Sequence, residues 1–298
     1  MKDITTRIYK GEKDIEIMAN LIARIRPHEF LNDHPAQVNL EEDLAAEQVR
    51  ANTRLWFDRE QPVGWAYVDA YDNLWWEIER AYEEALGSQI IEWGESCVRK
   101  AHRSGESATL DTNCREDHPT RIAFLKRHGF QQTETTTVTM ERDLSQPIPE
   151  PRVPPGFMIR PLAGAHEAEA VAEVHRAAFV SDYMTTKNRL ALMSTSEYDL
   201  SLDLIVVAPD GTMSANCICS VNEQEKIGYT DPVATHPDYQ GMGLGRALLS
   251  RGMQLLRERG MLSARFGTSG DNLAMQKTGA SVGFKVEHKK IWFSKQTG

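Results

Sequence analysis

Residues 227–246 read Ile227-Gly-Tyr-Thr-Asp-Pro-Val-Ala-Thr-His-Pro-Asp-Tyr-Gln-Gly-Met-Gly-Leu-Gly-Arg246, and Ala-Leu-Leu-Ser-Arg-Gly-Met-Gln-Leu-Leu follows to Leu256. The β-branched and aromatic residues before Thr235 predict a strand, and His236-Pro237-Asp238 predicts a turn. Gln240 to Gly245 is a loop in which every second residue is glycine. A helix follows, with Leu249, Met253 and Leu256 spaced as one buried stripe, and Gly260 is placed to end it. Gly241, Gly243 and Gly245 lack a Cβ, so the backbone can adopt positive φ and come close to a ligand. Amides at the loop end and in the first helical turn then converge on one point, with the helix dipole behind them. That is an anion site suited to a pyrophosphate.

A glycine-rich turn between strand and helix is a weak signal by itself, because a tight connection uses the same residues. The spacing narrows it. A dinucleotide fold needs G-x-G-x-x-G, whereas these glycines alternate without a break, and no Lys-Ser/Thr pair follows as a P-loop requires. What remains, Gln240-x-x-Gly243-x-Gly245 after Val-Ala-Thr-His-Pro, resembles the signature of the GNAT acyltransferases. Asn272 stands 11 residues before Gly283-Phe284, after the predicted strand 264–268, and matches the family's second motif. The resemblance covers 156–298 and, with less fidelity, 4–143. The tandem arrangement resembles mycothiol-synthase-like two-domain acetyltransferases.

The resemblance implies acetyl-CoA as co-substrate and no metal. By it, Val233, Ala234 and Thr235 pair through backbone groups with the pantetheine arm, near a strand bulge that supplies an oxyanion donor. Gln240, Gly241, Met242, Gly243, Leu244, Gly245 and Arg246 wrap the pyrophosphate, and Asn272 lies beside the cofactor. The family commonly carries a tyrosine seven residues after the asparagine to protonate the departing thiolate; here that position is Gly279. Tyr229 or Tyr239 is the expected substitute, and a tyrosine introduced at 279 is expected to speed turnover. Asp231 is the first candidate general base and His236 the second. Against these stand plain readings: Asp-Pro as a turn, His-Pro as structure. Tyr183, Met184 and Tyr198 are candidates for an acceptor pocket or for ordinary packing.

Outward from this stretch, the chain of 298 residues is long enough for two domains. Leu144 to Gly156 contains five prolines, which cannot continue a helix or a central strand and read as a stiff linker. The expected organisation is a degenerate GNAT-like domain at 1–145, a proline-rich linker at 146–156 and an acetyl-CoA-binding GNAT domain at 157–298. Predicted hairpins at 55–68 and 204–221, and Gly-Phe pairs at 129–130 and 283–284, recur at a nearly constant offset of about 150 residues, the mark of a duplicated unit. Each half reads as strand, helices, strands, helix, strand, helix and a terminal hairpin (285–294 in the second), a mixed α/β layer fold. In the first half the loop is degenerate: Gly87 alone remains, and Glu83 and Glu84 would repel a pyrophosphate. Trp56, Trp65, Trp75 and Trp76 read as core.

The net charge of −9 argues against a nucleic-acid partner. No apolar run reaches the roughly 20 residues of a membrane span. The N-terminus lacks a basic segment followed by an apolar run, and Cys97, Cys114, Cys217 and Cys219 do not form a four-ligand metal set. A cytoplasmic monomer or homodimer with reduced thiols is expected. The function expected is acetyl transfer to the amine of a small molecule by direct attack. A non-catalytic acyl-CoA-binding module and a protein N-acetyltransferase are the alternatives.

Overall fold

The computed structural model describes residues 3–297 except 28, 29, 32, 34, 36, 104–106, 196 and 197. The elements of the first half are β1 (Ile4–Ile8), α1 (Glu12–Ile25), α2 (Gln37–Asp43), α3 (Glu47–Ala51), β2 (Thr53–Asp58), β3 (Gln61–Val68), β4 (Leu74–Ile78), α4 (Glu83–Ala101), β5 (Ala108–Arg115), α5 (Pro119–Arg127) and β6 (Gln131–Asp143). The second half continues with β7 (Met158–Pro161), α6 (Ala168–Phe179), α7 (Thr186–Met193), β8 (Asp203–Val207), β9 (Met213–Asn222), β10 (Ile227–Thr235), α8 (Leu244–Glu258), β11 (Ser263–Ser269), α9 (Leu273–Ser281) and β12 (Lys285–Thr297).

The chain forms two compact units, residues 3–135 with 290–297 and residues 136–289. The division therefore falls inside two strands rather than at the proline-rich segment. That segment belongs to the second unit for a physical reason: Leu144 is buried there, and Ile148, Val153 and Phe157 pack on the same core. Prolines make it extended, and its apolar residues hold it down. The expected terminal hairpin is also absent. Residues 285–297 form one strand, whose last eight residues pair antiparallel with β5 and place Ile291 and Phe293 in the first unit's core.

In the first unit β1-β2-β3-β4 form an antiparallel sheet. All four tryptophans of the sequence reading are buried between this sheet and its helices. β4 meets β5 through a single parallel bridge, Asn73 to Asp111.

In the second unit the strand order is β6-β11-β10-β9-β8-β7, and only the β10–β11 neighbours are parallel. The amphipathic α8 covers one face. Leu244, Leu248, Leu249, Met253 and Leu256 pack against Leu204, Val206, Ala215, Cys217 and Phe266. Approach is close where glycine permits it: a Cβ on Gly252 would lie 2.7 Å from Cys219 Sγ. The opposite face carries α6 and α7 over a smaller apolar cluster of Leu162, Val171 and Ile205. There Arg189 and Tyr198 both bind Asp203 in the interior. Tyr198 is thereby a packing residue.

Gly252→Val forces α8 away from β9 and β10. Overpacking of this kind costs about 1–3 kcal/mol, so the urea midpoint should fall while the slope of the transition stays unchanged.

Candidate active site

β10 and β11 are paired only where Ile227, Gly228 and Tyr229 meet Ser263, Ala264 and Arg265. Beyond that point each strand keeps its outer neighbour, β9 for one and β6 for the other, and the two part company. The gap opens a cleft of about 750 Å³. Backbone groups along a parted edge have no ladder partner, so an extended ligand that supplies one is favoured there. A β-bulge falls between Thr230 and Val233, where one extra residue of β10 stands opposite β9. It lies earlier than the expected position at 233–235.

Asp231 sits in this bulge. Gly228 and Thr230 face α8, which leaves Tyr229 and Asp231 on the other face of the sheet. The Asp231 carboxylate opens onto the cleft, and its Oδ2 accepts from the Gly267 amide of β11 across the gap at 3.4 Å. Crowding by the cleft walls makes ionisation harder and raises its pKa to about 6, while the Gly267 amide pulls the other way. The group is therefore ionised at neutral pH and basic enough to accept a proton.

At the opposite end, Gly241 and Gly243 have φ of +77° and +80°. Nothing lies within 4 Å of where a Cβ would project at either, so the loop combines a left-handed backbone with open space over it. Gly245 plays a different part. It is already helical, and its missing side chain faces Val233, Thr235 and Thr278 at 3.7–3.8 Å. Gly243 caps α8 without a side-chain hydrogen bond, and the first turn carries no acidic residue. The amides and dipole of that turn are thus directed at the cleft. Gln240 Nε2 donates to the Thr235 carbonyl and ties the loop to the strand.

Of the expected residues, the cleft walls include Asp231, Val233 and Thr235 from β10. They also include Gln240, Gly241, Gly243, Leu244, Gly245 and Arg246 from the loop and α8, and Asn272. Asn272 caps α9 by accepting from the Met275 amide. Four expected residues lie elsewhere. Ala234 is buried on the sheet and Met242 points to solvent. His236 accepts from the Asp238 amide at 3.3 Å and serves as the cap of a short turn. Tyr229 is half-buried beside the Arg265–Glu141 ion pair, and burial raises its pKa. Tyr239, the other substitute considered, does line the cleft, packed edge-on against Phe157.

The sequence reading missed Lys277, Thr278 and Ser281 of α9, Phe266 and Thr268 of β11, and Ala178 and Phe179 of α6, all of which line the cleft. For α9 a signal existed: positions 274, 277, 278 and 281 recur at helical spacing and form one face. The expectation at Gly279 is corrected. A Cβ there would lie 2.5 Å from Phe266 Cζ. The Phe266 ring fills the space a side chain at 279 needs, so a tyrosine there would disrupt packing rather than supply an acid.

No helix among the described residues is long and apolar enough to cross a membrane, and no cluster of metal ligands occurs among them. Residues 168–284 match the Acetyltransferase (GNAT) family. A mycothiol acetyltransferase of Nocardia farcinica is 30% identical over 210 residues, which span 67% of this chain and 69% of that protein. One from Saccharomonospora viridis is 23% identical over 78% of this chain and 79% of its own length. Among solved structures, a GCN5-related N-acetyltransferase from Sphaerobacter thermophilus superposes over 99% of this chain and 96% of its own with TM-score 0.80 at 19% identity. A tandem GNAT protein from the clavulanic acid biosynthesis pathway superposes over 99% of both chains with TM-score 0.74 at 16% identity. The parted central strands, the glycine loop at the start of α8 and the extended relationship to two-domain acetyltransferases agree, and the chain belongs to the GNAT family as an N-acetyltransferase of tandem architecture.

Proposed function

We propose that this chain transfers the acetyl group of acetyl-CoA to the primary amine of a small molecule, by direct attack within the second unit. The observation that carries the reading is the placement of Asp231 in the bulge where β10 leaves β11, at one end of a cleft whose other end is a glycine loop on a helix N-terminus.

Acetyl-CoA is the co-substrate of the family, and the walls fit it. Gly241, Gly243 and the first turn of α8 receive the pyrophosphate, with Arg246 and Lys277 as nearby cations. The parted edge of β10 at Val233 to Thr235 takes the pantetheine arm by backbone hydrogen bonds. The bulge aims an amide at the thioester carbonyl and stabilises the oxyanion. Asp231 takes a proton from the attacking amine directly or through one water. The new C–N bond forms as the C–S bond breaks, and the thiolate leaves. A thiol has a pKa near 8.5, so solvent suffices to protonate it.

The first unit has the same parting of strands and a different content. Trp76 faces the α4 core, which puts Glu77 on β4 at the position that Asp231 holds on β10. Arg26 Nε and Nη2 both donate to Glu77 Oε1, at 2.9 and 2.7 Å, and Arg121 Nη1 lies 3.7 Å from it. Arg121 Nη2 also donates to the Trp76 carbonyl. The strand carboxylate there is tied up by the chain's own arginines, and Glu83 and Glu84 begin α4. This supports a single cofactor site per chain.

Calorimetry should therefore give one acetyl-CoA per chain. Gly243→Val should abolish it, since valine strains the left-handed backbone and its branches enter the phosphate space, while the thermal transition stays near that of the native protein. Two equivalent sites, or unchanged affinity in the variant, would refute this assignment.

The pH profile tests Asp231. Only the ionised carboxylate accepts a proton, so kcat/KM should fall as the pH drops through about 6. Asp231→Asn should lower the rate by about 10²–10⁴-fold and remove that acidic limb. An unchanged limb in the variant places the base elsewhere.

A further inference from the structure

The two ends of the cleft differ in chemistry. Its charged walls are Arg246 and Lys277 towards the glycine loop and Asp231 towards α6. The Gly267 amide of β11 reaches Asp231, and the same cleft is walled by Ala178 and Phe179 from the last turn of α6.

Phe179 is held in place rather than loose. Its ring lies against that of His175, with centroids 4.5 Å apart. Burial, and secondarily Arg189, push the His175 pKa down, so this support is a neutral ring at pH 7. The helix then stops at Val180, which adopts φ 50° and ψ 48°. A β-branched residue in that region is a real outlier, tolerated when surrounding structure or function requires it. Phe179 is 47% exposed, Val180 93% and Tyr183 66%. Val180 and Tyr183 are separated by Ser181 and Asp182, so Phe179 is the exposed apolar ring that this segment sets on the cleft wall.

We propose that the acceptor is a primary amine carried on an apolar group about the size of an aromatic ring. The amine lies at Asp231 and the apolar group rests on Phe179. This rests on the acetyl-transfer reading above and narrows it. In the step, the amine nitrogen bonds to the acetyl carbon, sulfur leaves with the C–S electron pair, and the surplus amine proton passes to Asp231. A polyhydroxylated acceptor fits poorly, because hydroxyls set against Phe179 lose water without gaining a partner.

The test compares phenethylamine with glucosamine, both with acetyl-CoA and the full chain. Phenethylamine should be acetylated with a kcat/KM at least about tenfold higher, as expected when an apolar group gains a seat. Phe179→Ser should raise its KM by more than it lowers kcat, and Phe179→Leu should restore the preference. In parallel, calorimetry on the CoA-saturated chain should show phenethylamine binding that Phe179→Ser weakens. Equal use of both amines, preference for glucosamine, or a Phe179→Ser variant unaltered towards phenethylamine overturns the proposal. Phenethylamine that neither binds nor reacts overturns it too. Binding that depends on Phe179 without acetylation of either amine upholds the subsite and instead sinks the acetyl-transfer reading.

Discussion

The second unit depends on the separation of two parallel strands after three paired residues. Backbone amides and carbonyls that lose their ladder partners are costly inside a protein, so the separation persists only where other interactions fix both strands. β10 remains in register with β9 on its outer side, and β11 with β6. α8 binds the inner face through Leu248, Leu249, Met253 and Leu256. Gly267 and Asp231 reach towards each other across the mouth. The gap that results is flanked by strand backbone on both sides. It therefore suits an extended chain that carries its own amides.

Charge within the cleft is arranged locally, against the sign of the whole chain. The net charge is −9, yet the loop end offers a helix N-terminus, Arg246 and Lys277. The carboxylate at the other end is raised towards neutrality by the walls around it. Phosphate recognition needs only a few oriented donors, so an acidic protein can hold an anionic co-substrate.

Both units part their central strands, and they do different things with the opening. In the second unit the Asp231 carboxylate on the strand opens onto the cleft and accepts from the Gly267 amide. In the first, Glu77 is clamped by Arg26 and Arg121, and Arg121 also lies over the Trp76 ring with its guanidinium carbon 3.7 Å from the ring centre. Removing both arginines would leave the Glu77 charge buried and uncompensated. A shared fold therefore does not imply a shared activity; the side chains that line the opening decide it.

Much of this was legible in residues 227–256. The alternation of glycines, the stripe on α8 and the Asn272 to Gly283 spacing are local patterns, and local patterns follow from backbone conformation and helical period. They determined the fold class, the glycine loop at the start of α8 and the loss of that loop around Gly87. What lay beyond them depends on which elements meet in space. Nothing in the sequence around Phe179 indicates that α6 ends at the cleft, and nothing near Gly279 shows that Phe266 already occupies its space. By sequence Asp231 is the first candidate base and His236 the second. The latter caps a turn and the former faces an open gap, because a bulge of one residue rotates β10 between them. Likewise, only packing reveals that the proline-rich segment is held by Leu144 and Phe157, or that the last strand completes the first unit. Sequence period determines which face of an element is apolar; the tertiary structure decides what that face meets, and catalysis depends on the meeting.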